Sequence, residues 1–483
     1  MNTFFNRLWG GPQPQPRADA AGLNRPLLRF GARDTWTVRD ACEGTAIFGA
    51  TGSGKTSGSG AAIARAFLSA GCGGLVLCAK PDEPLLWRKY CRETGRSDSL
   101  IIFSPEERWR FNFLNYELSR PGVGAGHTEN LVRLFSTVMA VAERSQRREG
   151  AQDFWERTTK QLLRNCFDLV ATARGRLLLE EIYSVIISAP QSPEDVQSRT
   201  WQESSLCFRC IQEGEARNKS AREANDFSLA VKYWLREFPA LSGRTRSIIC
   251  TNLTSMLDIF LRGTLRELFC TTTNIVPELT HEGAVLVVNL PLKEYAEIGQ
   301  TAQALIKFIW QRAAERRSPN PHSRVCFLWA DEAQFFVDSN DAQFQSTARS
   351  SRVATVYLSQ NIGAYYREIG EPDAHSLMGN LGTKFFHANG DPMTNQWAAD
   401  LFSKSWQTRS SAGASLGGVD GRNVSKNYGS SDSVEFEVLP REFTCLRKGG
   451  PENAGRVEAI AFQGGRIWDA TGKNHCKVDF CQH

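Results

Sequence analysis

The chain has no apolar run long enough to span a membrane. A spanning helix needs about 18 or more consecutive apolar residues, whereas the longest run, residues 284–292, already contains Asn289 and Pro291. The amino end also lacks the apolar core and the cleavage site of a secretory signal peptide. These features predict a soluble protein of the cytoplasm without a membrane span of its own.

The sequence also lacks a cysteine framework and a strong charge of one sign. Its 13 cysteines are scattered over 483 residues, many of them inside apolar runs, as expected of reduced thiols in a cytosol. The one close pair, Cys207 and Cys210, has no second pair at zinc-ribbon spacing and is weak evidence for a metal. A net charge of +5 permits a nucleic-acid partner without requiring one.

Short apolar runs bounded by turn residues predict a mostly parallel β-sheet covered by helices. The runs are residues 45–48, 74–78, 100–103, 284–289, 325–330, 355–358 and 384–387. Between the third and fourth runs the sequence changes to long charged patterns typical of helices. The predicted fold class is therefore α/β: one doubly wound domain that is split by an inserted all-helical domain.

These changes in sequence pattern divide the chain into six predicted parts. They are a tail and lead-in (1–44), the first part of the α/β domain (45–111), the helical insertion (112–246), the second part of the α/β domain (247–408), a flexible Ser/Gly loop (409–433) and carboxy-terminal strands with a tail (434–483).

The strongest functional signal is a full GxxxxGK[ST] motif after the first of these runs. It consists of Gly49, Ala50, Thr51, Gly52, Ser53, Gly54, Lys55 and Thr56, and the helix-compatible segment 61–69 follows it. Glycines let such a loop turn tightly, so that its N–H groups and the start of the helix surround phosphate oxygens. The motif predicts binding of ATP with Mg²⁺: Lys55 would contact the β and γ phosphates, and Thr56 would give its hydroxyl to the metal.

A second acidic element follows the apolar run 325–330. Asp331 and Glu332 come directly after this run, where a buried strand would deliver carboxylates to the carboxyl edge of the sheet. Asp331 would hold Mg²⁺, and Glu332 would orient and polarise the attacking water. The alternative is a pair of solvated acids at a helix start. The presence of a P-loop favours the functional interpretation.

Three further residues have less specific patterns. Gln360 follows the run 355–358, where it could contact the γ-phosphate or cap the next turn. Arg349 and Arg352 precede that strand, and either could stabilise transition-state charge in a neighbouring subunit or be an ordinary surface arginine.

Several segments together resemble the TraG/TraD-type coupling ATPases of conjugation and type IV secretion. The segments are GATGSGKT (49–56), LWADEAQFF (328–336), ARSSRVATVYLSQN (348–361) and GNLGTKFFHANGDPMTNQWAADLF (379–402), and the likeness extends over about residues 45–468. The resemblance implies a RecA-like hexameric motor. It assigns Lys55 and Thr56 to Walker A and Asp331 and Glu332 to Walker B. It also makes Gln360 the motif III glutamine and Arg349 the trans-acting arginine, although Ser350 and Ser351 depart from the family's usual basic and aromatic pair.

The resemblance also implies partners: DNA or a relaxase–DNA complex, secretion-channel components and five further copies of the chain. Family members typically begin with membrane-spanning helices, and none is predicted here, so any attachment to the inner membrane would be peripheral and through a partner. Two other functions stay open at this stage. One is an FtsK/HerA-like DNA translocase of segregation or defence, and the other is a nucleotide-dependent adaptor that recruits protein cargo through residues 112–246.

Overall fold

The computed structural model describes residues 22–142, 152–320, 322–417 and 423–482. Residues 1–21 of the predicted tail and residues 418–422 of the predicted loop lie outside this part of the chain. The chain forms two compact units. The first unit comprises Met1–Cys72, Tyr90–Arg96 and Ser318–His483, and the second comprises Gly73–Lys89 and Ser97–Arg317.

The seven predicted strands are all present, with ends within two residues of those predicted. The strands of the described residues are β1 (Pro26–Arg29), β2 (Thr35–Thr37), β3 (Thr45–Phe48), β4 (Gly73–Leu77), β5 (Leu100–Phe103), β6 (Val285–Val288), β7 (Cys326–Ala330), β8 (Val353–Ser359), β9 (Thr383–Phe386), β10 (Lys404–Gly417), β11 (Asn423–Phe436), β12 (Arg456–Gln463) and β13 (His475–Cys481).

Helices occupy most of the remaining chain. They are α1 (Val38–Cys42), α2 (Ala61–Ser69), α3 (Glu83–Glu93), α4 (Phe113–Ser119), α5 (Thr128–Ala142), α6 (Gln152–Arg174), α7 (Leu179–Ile187), α8 (Pro193–Gln197), α9 (Arg199–Ser204), α10 (Leu206–Glu215), α11 (Ala221–Lys232), α12 (Phe238–Ala240), α13 (Gly243–Leu261), α14 (Gly263–Phe269), α15 (Leu292–Arg316), α16 (Ser339–Ala348), α17 (Ile362–Ile369), α18 (Glu371–Asn380) and α19 (Pro392–Phe402). Within the described residues, no helix has the length and apolar character needed to cross a membrane.

In the first unit, six strands are hydrogen-bonded in the order β13-β12-β9-β3-β8-β7. The four strands from β9 to β7 are parallel, and β12 joins antiparallel to β9 and β13. All residues of these four parallel strands are buried, which explains why they appear in the sequence as continuous apolar runs. Parallel pairing also brings the carboxyl ends of β3, β7, β8 and β9 to one edge of the sheet.

The second unit contains three parallel strands in the order β4-β6-β5 and a long helical segment. The described residues between β5 and β6 contain helices α4 to α14 and no strand. The α/β fold class with an inserted all-helical domain is thus confirmed. The helices continue to Phe269, whereas the sequence predicted that the insertion ends at residue 246.

Residues 409–433, for which the sequence predicted a flexible loop, differ from that expectation. The described residues of this segment belong to β10 and β11, which pair antiparallel from Lys404 opposite Phe436 to Gly417 opposite Asn423. Both faces of this two-stranded sheet carry exposed residues: Trp406 (75% exposed) and Tyr428 (79% exposed) lie on one face, and the exposed Ser411 and Ser431 lie on the other. Because neither face is apolar throughout, the alternation that normally indicates a strand is missing from the sequence.

Candidate active site

The glycine-rich loop follows β3 and is held between the ends of two neighbouring strands. The N–H of Gly49 donates to the Ser359 carbonyl at 3.2 Å, and the N–H of Ala50 donates to the Ala388 carbonyl at 2.9 Å. The chain then enters a helix whose first turn, Thr56–Gly60, is of the π type and leads directly into α2. The first N–H groups of a helix have no partner within it, so this end of the loop is open to an anion.

Gly54 lies where the loop passes closest to the carboxy-terminal part of the chain. Its φ of +85° falls in the left-handed region, which favours glycine. A Cβ at this position would lie 2.7 Å from a Val457 methyl carbon and 3.0 Å from the Lys448 carbonyl oxygen. Strand β12 therefore packs directly against the loop, and the position has no space for a side chain.

The second motif meets the loop at the carboxyl edge of the sheet. The Thr56 hydroxyl donates to Asp331 Oδ2 at 3.1 Å, across 275 residues of sequence. Asp331 follows the last residue of β7 and is 2% exposed. Its other carboxylate oxygen accepts the N–H of Glu332 at 3.0 Å. The structure thus brings together a hydroxyl and a carboxylate that the sequence assigned to one metal ion.

Glu332 is buried and adopts a left-handed backbone conformation, with φ +52° and ψ +48°. A non-glycine residue in this region costs about 1–3 kcal/mol and is found mostly at functional sites. Its carboxylate accepts from Gln360 Nε2 at 3.2 and 3.3 Å and lies 3.8 Å from Lys55 Nζ. The predicted Lys55, Asp331, Glu332 and Gln360 are therefore all within one buried cluster.

Gln334 is a member of this cluster that the sequence analysis missed. Its Nε2 donates to Glu332 Oε2 at 2.9 Å, and its Oε1 accepts the Ser359 hydroxyl at 2.8 Å. The side chain therefore ties the carboxylate after β7 to the end of β8. A glutamine in a 3₁₀ turn two residues after the acidic pair has no sequence signature that indicates this contact.

His387 is a second missed residue, located directly behind the loop. Its Nδ1 lies 3.0 Å from the Glu458 carbonyl oxygen and its Nε2 lies 2.7 Å from Ser59 Oγ. Since a carbonyl oxygen only accepts, Nδ1 carries the proton and Nε2 accepts from the Ser59 hydroxyl. Burial lowers the pKa of His387 to about 4, and the positive charge of Lys55 contributes in the same direction. The ring is thus neutral and connects the first turn after the loop with β12.

Arg349 lies outside the cluster. It follows the last residue of α16, and its Nη1 forms an ion pair with Glu43 Oε1 at 3.1 Å. Its side chain is 57% exposed, and the described residues show no contact between it and Lys55, Glu332 or Gln360. The other candidate, Arg352, has a φ of +52° and donates to the Ser323 carbonyl at 2.8 Å. Among the described residues of one copy of the chain, Arg349 therefore does not reach the cluster.

The cluster fits a magnesium-bound nucleotide phosphate in its donor types. The loop provides a buried ammonium, Lys55, at the open end of a helix. The Ser53 hydroxyl is fully buried and has no hydrogen-bond partner among the described residues. Thr56 and Asp331 together supply hydroxyl and carboxylate oxygens, the ligands that Mg²⁺ prefers. Lys55 and Thr56 would hold the phosphates and the metal, respectively.

Comparisons with known proteins bear on the fold and on residues 325–442. Residues 325–442 match the model of a family described as the TraM recognition site of TraD and TraG. No curated protein is significantly similar to the chain in sequence. Among solved structures, the bacterial conjugative coupling protein TrwB, in an unbound form, has a TM-score of 0.59 and 14% identity, over 99% of this chain and 92% of that one. TrwB in complex with ADP and Mg²⁺ and TrwB with a non-hydrolysable ATP analogue each have a TM-score of 0.58, 14% identity and the same coverage.

The fold thus defines a class of protein: RecA-like α/β proteins with an inserted all-helical domain. Within this class, the chain has the fold of the conjugative coupling protein TrwB. The resemblance to TraG/TraD-type coupling proteins, predicted from the sequence motifs, is confirmed by this fold and by the matched segment.

We predict that His387 makes the protein sensitive to acid. The folded state disfavours protonation of this ring, so its contribution to stability is present at pH 7 and is lost as the pH falls from about 6.5 towards 4. Between pH 7 and pH 5 this amounts to about 2 kcal/mol of unfolding free energy. The unfolding free energy is measured with urea at pH 7 and at pH 5. The difference between the two values is expected to be smaller for His387→Gln than for the unchanged protein. His375→Gln, at a partly exposed site, is the control and should leave the difference unaltered. Equal pH differences in all three proteins would contradict the assignment.

Proposed function

We propose that the protein is an ATP-driven motor that couples hydrolysis at this site to the movement of DNA or a nucleoprotein, as a coupling protein of conjugation or type IV secretion. The observation that supports it most is the 3.1 Å contact between Thr56 and Asp331, beside the buried Lys55 and Glu332. The fold adds support because TrwB, which shares it, has been solved with an ATP analogue and with ADP and Mg²⁺.

The roles follow from where the side chains lie. Lys55 and the N–H groups of the loop Gly49–Thr56 would bind the phosphates. Thr56 and Asp331 would bind Mg²⁺, which when bound neutralises phosphate charge. Lys55 now lies near Glu332, and a phosphate would draw its positive charge away from that carboxylate. Glu332 would then remain hydrogen-bonded to Gln334 and Gln360, positioned to orient a water molecule and accept its proton.

Assembly is the second part of the proposal. Arg349 is exposed and pairs with Glu43 instead of a residue of the cluster, as expected of an arginine that enters a neighbour's site. We therefore propose a homo-hexamer in which Arg349 completes the site of the next copy. DNA or a relaxase–DNA complex and secretion-channel components are the proposed partners. The matched family model is named for recognition of the protein TraM, which supports a protein partner for residues 325–442.

Replacing Lys55 tests the proposal most simply. We expect Lys55→Ala to lower ATP hydrolysis at least about a hundredfold, because the only buried ammonium of the loop is removed from the developing phosphate charge. Phosphate release should be measured without DNA, with single-stranded DNA and with duplex DNA. Lys232→Ala, an exposed position in the second unit, serves as the control. Undiminished turnover of Lys55→Ala would refute the site. Turnover that no DNA stimulates would favour the adaptor function.

Replacing Glu332 should separate binding from hydrolysis. Glu332→Gln keeps the size of the side chain but removes the base, so we expect kcat to fall at least about a hundredfold. Nucleotide binding should persist, because the substitution removes a negative charge near Lys55 and so does not weaken the attraction of this lysine for phosphate. A fluorescent ATP analogue measures the affinity and phosphate release measures the rate. Near-normal kcat, or loss of binding in proportion to the loss of rate, would contradict the assigned role.

Replacing Gln334 tests a residue that positions the base. One hydrogen bond to a charged group is worth about 1.5–3 kcal/mol, so we expect Gln334→Leu to lower kcat roughly tenfold or more with little change in KM. Gln334→Glu would add a second negative charge next to Glu332 and should raise the pH at which activity appears. Gln396→Leu, at an exposed site, is the control. An unchanged kcat and pH profile would show that Gln334 is only structural.

A further inference from the structure

Arginine side chains line a cavity of about 310 Å³ in the second unit. The cavity lies between the end of α4, helix α5 and the last two turns of α15. Its charged lining residues are Arg120, Arg133, Arg312, Arg316, Glu117 and Glu315. Four arginines against two glutamates leave a net charge of +2 on the lining, and none of the residues of the candidate active site is part of it.

The two glutamates neutralise two of the arginines. Arg120 Nη2 lies 2.8 Å from Glu117 Oε1 in a buried pair, and Arg312 Nη1 lies 2.9 Å from Glu315 Oε2. These two guanidinium groups are held in place by additional contacts. Arg120 also donates to the Val123 carbonyl at 3.4 Å, and Arg312 lies over the ring of Phe308 at 5.3 Å. These contacts orient two of the four guanidinium groups that line the cavity.

Of the remaining two arginines, Arg316 has a carboxylate partner outside the lining, whereas Arg133 has none among the described residues. Arg316 lies 4.0 Å from Glu278 and donates to the Tyr116 hydroxyl at 3.1 Å. Arg133 has no carboxylate within ion-pair distance in the part of the chain that the structure describes. Partial burial and the positive charge of Arg312 lower the pKa of Arg133, and the negative charge of Glu315 offsets this only in part. A bound anion would relieve the repulsion between Arg133 and Arg312.

We propose that this cavity binds a phosphate group through Arg133 and Arg316. A guanidinium group binds phosphate oxygens with two parallel N–H bonds, and two such groups together match the charge of a phosphate better than that of a single carboxylate. The cavity is larger than a phosphate ion requires, and its apolar walls, Leu134 and Ile309 among them, provide space for the attached organic part. The phosphate belongs to a nucleic-acid backbone or to a free phosphorylated ligand, which share this chemistry.

If the ligand is a nucleic acid, the inference rests on the proposed function as a DNA motor. Measuring ATP hydrolysis without DNA distinguishes a failure of the motor proposal from a failure of the phosphate-binding proposal. Arg133→Gln and Arg316→Gln lie outside the candidate active site, so ATP hydrolysis without DNA should stay unchanged in these variants. A failure of the motor proposal would appear in the Lys55→Ala protein, whereas a failure of this inference would appear only in binding by the arginine variants.

The first arm of the test measures DNA binding by the full chain. Fluorescence anisotropy of a labelled single strand of roughly 20 nucleotides, at several salt concentrations, gives the slope of log affinity against log salt. Each lost phosphate contact lowers this slope by about 0.7 for a single strand. We expect this decrease in Arg133→Gln and about twice the decrease in the double variant with Arg316→Gln. Arg222→Gln, which removes an exposed charge from α11 outside the cavity, should leave the slope unchanged.

The second arm uses inorganic pyrophosphate and the Lys55→Ala protein, so that the glycine-rich loop does not contribute. Calorimetric titration should detect binding that the additional Arg133→Gln change weakens. An effect on the DNA slope identifies a nucleic-acid backbone as the ligand, and an effect on pyrophosphate alone identifies a free phosphorylated ligand. If neither the slope nor pyrophosphate binding differs between Arg133→Gln and Arg222→Gln, the arginines serve only the structure and the inference is wrong.

Discussion

The hydrogen bond between Thr56 and Asp331 is the contact on which the site depends. It joins residues 275 positions apart and places their oxygen atoms 3.1 Å from each other. The parallel register of β3, β8 and β7 makes this possible, because it carries the residues after each strand to the same edge of the sheet. A shift of one strand by one residue would turn its side chains to the opposite face and separate the pair.

This geometry concentrates charge in a buried place. Lys55, Asp331 and Glu332 are each less than 7% exposed, and buried charges are tolerated only when they are paired and hydrogen-bonded. Gln334 and Gln360 meet this condition because both donate hydrogen bonds to the Glu332 carboxylate. The backbone of Glu332 is left-handed in this arrangement. Replacing such a buried cluster with apolar residues often leaves stability unchanged or raises it. Folding alone therefore does not explain the cluster.

The sequence predicted the parts of the site that depend on local patterns. Buried parallel strands appear as continuous apolar runs, so their positions were clear, and the loop motif located Lys55 and Thr56 directly. Asp331 and Glu332 were predicted because acids at the end of such a strand reach the sheet edge. The sequence could not indicate which side chains surround these groups. Gln334 contacts Ser359, and His387 contacts Ser59, only after distant segments have come together.

Other differences between the sequence-based predictions and the structure have similar physical reasons. The hairpin of β10 and β11 lacks an apolar face, so its serines and glycines were interpreted as a loop. The helices up to Phe269 continue the helical pattern without a composition change that would mark the end of an insertion. The cavity between α4, α5 and α15 joins arginines nearly 200 residues apart in sequence, as the contact between Tyr116 and Arg316 illustrates. The sequence could not predict that these arginines lie together, because only the packing of the helices brings them to one cavity.

The position of a bound metal ion tests the roles of Thr56 and Asp331 most directly. A crystal structure of the protein with ADP and Mn²⁺ in place of Mg²⁺, with anomalous scattering recorded for manganese, would show the ion itself. We predict one strong anomalous peak within about 2.0–2.3 Å of the Thr56 hydroxyl oxygen, with an Asp331 carboxylate oxygen bound directly or through one water. Bound nucleotide with the manganese peak remote from both residues would contradict the account.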